Sequence, residues 1–167
     1  MIDSIDKWST HQPLLAACVM ETDGPVLELG CGYYSTFLLH ILCVNRKLVS
    51  VEVDCDWASK FLCLESSNHK FCNPLSYNDS QFRDSIDEKW DVVFVDTIKE
   101  NRKSLVQFLG EKAQLIVCHD TEHSVYRWNR VLPKFKYRYD FTFYSVPQTS
   151  VVSNFCDLSF LKKYFNE

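Results

Sequence analysis

The chain has 167 residues, enough for one domain (1–167) with a single well-filled core. It is 46% hydrophobic and 14% aromatic, which argues against disorder, and no apolar run approaches the roughly 20 residues of a membrane span. A formal net charge of −4 gives no global pull toward nucleic acid or an anionic membrane surface.

The N-terminus, Met1 to Asp6, lacks the basic segment and apolar core of a secretory leader, so a cytoplasmic location is expected. A local basic stretch at Lys134, Lys136 and Arg138 is interleaved with Phe135, Tyr137 and Tyr139. The solvent face of a strand explains that pattern at least as well as an RNA-binding surface, and nucleic acid is not an expected partner. The eight cysteines are dispersed, with no C-x-x-C pair and several inside apolar runs. They read as reduced core residues rather than disulfide or zinc ligands.

In chain order, a first helix is expected from about Thr10, whose hydroxyl can cap it, with Pro13 in its first turn and Leu14, Leu15 and Cys18 inward. Gly24-Pro25 breaks the chain before a strand at Val26–Leu29. Ser35 or Thr36 can cap a second helix carrying Phe37, Leu38, Ile41 and Leu42 inward. A strand at Lys47–Val53 follows, then a helix capped by Asp54, and a weak strand at Lys70–Leu75. Trp90–Val95 is the clearest buried strand: Val92, Val93, Phe94 and Val95 run on without alternation, as in a sheet covered on both faces. A helix at Ile98–Leu109 ends at Gly110, and Gln114–Cys118 is another continuous strand. Glu122–Leu132 reads as a helix stopped by Pro133. Phe135 to Phe143 alternates strictly, marking a half-buried strand, and a turn at 145–148 leads to Thr149–Val152 and a closing helix near Asp157–Tyr164. The alternation predicts an α/β fold: a parallel doubly wound sheet whose last two strands are antiparallel to each other.

The most informative stretch is Glu28-Leu29-Gly30-Cys31-Gly32, followed twenty residues beyond Gly32 by Glu52 at the end of the next apolar run. In a parallel sheet this sets a glycine-lined turn beside a carboxylate at the neighbouring strand tip, an arrangement that suits a nucleoside-containing cofactor. Ser35 stands where the third glycine of a dinucleotide fingerprint belongs, which weakens an NAD reading.

With Val95-Asp96 and His119-Asp120-Thr121-Glu122, these pieces make the chain resemble the class I S-adenosylmethionine-dependent methyltransferases from Trp8 to Ser153. It looks closest to small methyltransferase-like proteins with the same Val-Asp and His-Asp-Thr-Glu strand ends. The resemblance implies a three-layer Rossmann-like fold with a mostly parallel seven-stranded sheet ending in an antiparallel hairpin. It implies S-adenosylmethionine as cofactor, held at Glu28, Gly30, Cys31, Gly32, Glu52 and Asp96, with Asn78 or Asp79 a weaker adenine contact.

Asp96, His119 and Asp120 are the catalytic candidates, because two carboxylates and an imidazole should converge at the ligand-binding edge of the sheet. Two such carboxylates need a cation, a shared proton or a basic neighbour, and Arg102 and His119 are the nearest bases in sequence. In catechol-type methyltransferases an asparagine follows the second aspartate and a divalent cation binds there. Thr121 takes that place here, so a cation is possible but not favoured. His11, His40 and His69 read as surface or helix-end residues, and Trp8, Trp57, Trp90 and Trp128 as core aromatics. The expected activity is methyl transfer to a small-molecule hydroxyl or amine. The alternatives are a binding or assembly module without turnover, and an NAD- or nucleotide-binding enzyme. Oligomeric state has no sequence signal.

Overall fold

The structure is a computed structural model that describes residues 6–143 and 146–165, so Ser145 of the expected turn lies outside the described residues. The strands are β1 (Val26–Leu29), β2 (Leu48–Val51), β3 (His69–Cys72), β4 (Trp90–Val95), β5 (Ala113–His119), β6 (Tyr137–Phe141) and β7 (Thr149–Ser153). They form one sheet in the order β3-β2-β1-β4-β5-β7-β6. β1 to β5 pair in parallel, β7 runs antiparallel to β5, and β6 pairs antiparallel with β7, so six strands share a direction and β7 alone opposes it. The expected fold class and terminal hairpin are what the molecule has.

The helices are α1 (Gln12–Met20), α2 (Thr36–Leu42), α3 (Cys55–Ser59), α4 (Ser80–Ser85), α5 (Lys99–Leu109) and α6 (Lys162–Phe165). Successive residues of a strand point to opposite faces, so β4 divides the core in two. Val93 and Val95 pack with Leu105, Val106 and Leu109 of α5 and with Phe82 of α4. Val92 and Phe94 pack with Leu14, Leu15 and Cys18 of α1 and with Leu39 of α2. Helices therefore cover both faces, which is why β4 is apolar without a break from Val92 to Val95.

Several local expectations are corrected. Glu122–Leu132 is not a helix. It is broken into short 3-10 turns at Ser124–Tyr126 and Trp128–Arg130, followed by one at Leu132–Lys134. Arg127 between the first two sits in the left-handed region at φ 56°, which no continuing α-helix permits. On α2 the buried side chains are Thr36 and Leu39, whereas Phe37 and Ile41 face outward, Ile41 at 70% exposure. Thr10 does not cap α1, because its hydroxyl donates to the Pro147 carbonyl instead. Trp90 and Trp128 are core residues, but Trp8 is exposed and Trp57 only half-buried. All eight cysteines are free. Cys18, Cys31, Cys43 and Cys118 are buried, while Cys55 and Cys63 are exposed rather than core.

Candidate cofactor cleft and the strand-tip cluster

Sheet register builds the site. Leu29 pairs with Val51 on one side and Val95 on the other, and Val95 pairs with Cys118. The next residue of each strand therefore falls into one row along the carboxyl edge: Glu52, Gly30, Asp96, His119. Open α/β sheets bind ligands at this edge, where the strand order reverses, and here the reversal lies between β1 and β4.

Gly30 holds φ +96°, a conformation nearly closed to other residues. Its N–H donates to the Val51 carbonyl at 2.8 Å, and the Asp96 N–H donates to the Leu29 carbonyl at 2.9 Å. The turn is thereby tied to both neighbouring strands. Gly32 is different: a β-carbon there would meet only Ser35 Oγ, at 3.3 Å. Its openness is space above the turn rather than a backbone requirement.

Glu28 is fully buried beneath the turn. Thr36 Oγ1 donates to its carboxylate at 3.0 Å and itself accepts the Gly32 N–H at 2.9 Å. From the other side Ser50 Oγ donates to Glu28 at 2.5 Å, and His69 Nε2 lies 2.8 Å from that hydroxyl. Because the Ser50 proton points to Glu28, His69 Nε2 is the donor in that contact. His69 Nδ1 in turn meets His40 Nδ1 at 3.1 Å. Burial raises the Glu28 carboxyl to about 7, against the hydrogen bonds of Ser50, Ser35 and Thr36. His69 is thus no surface residue: it is 2% exposed and burial lowers its imidazole to about 4.

Glu52 sits one residue past β2. Its Oε2 accepts the Cys31 N–H at 3.2 Å and its Oε1 the Asp54 N–H at 3.0 Å. Asp54 caps α3 through the Trp57 N–H at 3.0 Å, as its position before the helix implies. Trp57 Nε1 returns to the Cys31 carbonyl at 2.8 Å, so both backbone groups of Cys31 are held from the β2 side. Of the weaker adenine contacts, Asp79 caps α4 and Asn78 is exposed in the preceding loop.

Asp96, Asp120 and His119 do come together, around Arg102 of α5. The buried guanidinium donates to Asp96 Oδ1 at 2.7 Å, to Asp120 Oδ2 at 2.9 Å and to the His119 carbonyl at 3.1 Å. Its face lies 4.2 Å from the ring centre of Tyr126. Arg102 is the basic neighbour that the carboxylate pair demands. His119 is 2% exposed, with Nδ1 3.1 Å from Asp96 Oδ2 and Nε2 3.2 Å from Thr10 Oγ1. Burial alone would raise the Asp96 carboxyl, but the hydrogen bond from His119 and the nearby charges outweigh it and hold it down at about 2. Asp120 is a non-glycine residue at φ 57°, a strained conformation kept by the Arg102 contact and by Trp128 Nε1 donating to its carbonyl at 3.2 Å. Thr121 turns away, its hydroxyl 3.0 Å from Ser150 Oγ, which itself donates to Asp140 at 2.6 Å.

A cleft of about 520 Å³ opens at the Asp96 end of this row, lined among others by Trp8, His11, Gly32, Trp57, Asp96 and Arg102. The volume falls within the usual range for small-molecule sites. His11 is a functional candidate that the sequence reading missed: it stands at the start of α1, as a helix-end residue would, but it is buried rather than on the surface, and it carried no spacing signal.

No protein-family model and no curated protein sequence matches the chain. Solved structures do. An O-methyltransferase from Bacillus cereus in complex with SAH superimposes with TM-score 0.67 at 15% identity, covering 90% of this chain and 82% of that one. Cofactor-bound Rv0187 from MTB gives TM-score 0.68 at 15% identity, covering 93% and 84%. The fibrillarin/Nop5p complex gives 0.64 at 18%, covering 89% and 84%. At these identities the likeness shows the fold.

Proposed function

The molecule has the class I methyltransferase fold, and we propose that it binds S-adenosylmethionine and transfers its methyl group to a small-molecule hydroxyl or amine. The observation that carries this reading is the strand-tip row Glu52, Gly30, Asp96, with Asp96 and the turn from Cys31 to Ser35 lining one cleft. The cradle fits the cofactor. Gly30 and Gly32 leave the turn bare, Glu28 and Thr36 fix its backbone from below, and each Glu52 oxygen has acceptor capacity beyond its one backbone contact. Bound there, the cofactor supplies an activated methyl group on a sulfonium.

The protein contributes position and charge. Asp96 lines the cleft, while Asp120 and His119 stand behind it and hold it through Arg102 and the imidazole. Arg102 already supplies the positive charge between the two carboxylates, and Thr121 is turned elsewhere, which favours a reaction without a divalent cation. The expected setting is cytoplasmic. Among the described residues, no helix is long and apolar enough to cross a membrane. Calorimetry with S-adenosylmethionine, S-adenosylhomocysteine and NAD tests the reading: binding of the first two and not NAD is expected, and the reverse preference overturns it.

One observation favours the second reading, a binding module without turnover. Both His119 nitrogens and both members of the carboxylate pair are already engaged within the protein, leaving no free strong base among them. Release of S-adenosylhomocysteine across a panel of hydroxyl and amine acceptors separates the two.

A further inference from the structure

His11 is a buried imidazole with an unmet need. It is 2% exposed, and among the described residues neither ring nitrogen has a hydrogen-bond partner. Its ring packs 4.8 Å from that of Phe94 and meets the ring of His119 edge-on at 4.8 Å. Burial, reinforced by His119, pushes the imidazole down to about 3, so it is neutral and offers one N–H and one lone pair. Buried polar groups are rarely left without partners, because an unmade hydrogen bond in a dry site is costly. The missing partner therefore belongs to whatever fills the cleft that His11 lines.

One nitrogen of His11, one of His119 and a carboxylate oxygen of Asp96 lie within 4.8 Å of one another, a spacing that a metal ion could also use. Against a cation stands Arg102, whose guanidinium is already 2.7 Å from Asp96. A second positive centre on the same carboxylate would be repelled. A ligand group that carries both a donor and an acceptor satisfies His11 and Asp96 together.

Sheet order says which end of the cofactor that is. Glu52 follows β2, His11 packs against Phe94 of β4, and the glycine turn of β1 lies between them. The two ends of the site are thus about two strand spacings apart, roughly 10 Å. A ribose at Glu52 directs its 5′ substituent across the turn toward Asp96 and His11. Resting on the methyltransferase reading above, the geometry points to His11 as the residue that holds the amino-acid head group of S-adenosylmethionine. Its N–H donates to the α-carboxylate.

The test compares S-adenosylhomocysteine with 5′-methylthioadenosine, which keeps the nucleoside and sulfur but lacks the head group. The wild-type protein should bind both. If it binds neither, the methyltransferase reading itself falls, and the role of His11 with it. His11→Phe, which keeps a ring against Phe94, should weaken S-adenosylhomocysteine by about tenfold or more and leave 5′-methylthioadenosine unchanged. His11→Gln, which keeps a donor and an acceptor, should recover part of the loss. Equal weakening of both ligands, or of neither, overturns the assignment. Nitrogen-15 spectra of the wild-type histidines give the same answer without a variant: the His11 ring signals should shift with S-adenosylhomocysteine and stay put with 5′-methylthioadenosine. Equal shifts with the two ligands would refute it.

Discussion

Gly30 and Asp96 approach so closely that a β-carbon on the glycine would lie 2.2 Å from the aspartate carbonyl oxygen. That oxygen belongs to the backbone of the next strand and cannot swing away. With φ at +96°, any side chain at this position is strained twice over. Gly30→Ala is therefore expected to destabilise the fold by several kcal/mol, by about 1–3 from backbone strain alone before the clash is counted. Gly32→Ala, with only Ser35 Oγ at 3.3 Å, should melt near the wild-type temperature and lose affinity for the cofactor instead. Equal melting temperatures for the two variants would show that the turn is not pinned as described.

Glu52 offers a prediction on ligand affinity. A hydrogen bond to a charged group contributes about 1.5–3 kcal/mol, so Glu52→Ala should weaken S-adenosylhomocysteine binding by roughly tenfold to a hundredfold. The side chain also accepts the Cys31 and Asp54 N–H groups, so Glu52→Gln should retain part of the turn geometry and lose less. An unchanged dissociation constant in Glu52→Ala would remove the residue from the site.

Removing Arg102 leaves two carboxylates facing each other in a largely buried place. Breaking a buried pair from one side costs about 3–5 kcal/mol. Arg102→Leu should lower the melting temperature strongly, and adding Asp120→Asn should restore part of the loss. Because the guanidinium supplies the cation between Asp96 and Asp120, dialysis against a chelator should change neither stability nor cofactor affinity. A chelator-sensitive affinity restored by a divalent metal would overturn that view.

Three buried groups should tilt stability with pH in opposite directions. Burial lowers His11 to about 3 and His69 to about 4, below the ordinary 6.5. Their contribution is present above pH 6.5 and is lost as pH falls through those values. Glu28 is raised from 4.5 to about 7, so its contribution is full below pH 4.5 and is lost as pH rises through about 7. Relative to wild type, Glu28→Gln should gain Tm as pH climbs from 4.5 to 7, and a His11→Gln, His69→Gln double variant should gain Tm as pH drops below 6.5. Thermal scans across the range with slopes of the other sign would contradict both assignments.

The row of strand-tip residues was legible because each one ends a short, mostly apolar run, and a parallel sheet leaves such residues nowhere to go but its edge. Asp54 announced itself by standing one residue before a helix. Phe37 and Ile41 misled because a seven-residue helix lying across the sheet buries only a narrow strip, here Thr36 and Leu39, and apolar content alone does not tell which strip. Val125, Trp128, Val131 and Leu132 have helical spacing, yet a left-handed Arg127 splits the segment, and no residue type there signals it. His11 and His69 were unreadable for another reason. A single buried imidazole has no period, and its neighbours are 108 and 19 residues away in sequence, at His119 and Ser50. Only register brings them together.

His69 lies on β3, a four-residue strand at the outer edge of the sheet. Edge strands of that length are the first elements to fray. Here the fraying strand carries the far end of the polar chain that runs through Ser50 and Glu28 to Thr36 and the Gly32 amide. Opening of β3 takes the His69 donor from Ser50 and frees the serine to turn away from Glu28. The shape of the glycine turn and the slow breathing of the sheet margin are then one event, and amide exchange at Gly32 should keep time with exchange across β3.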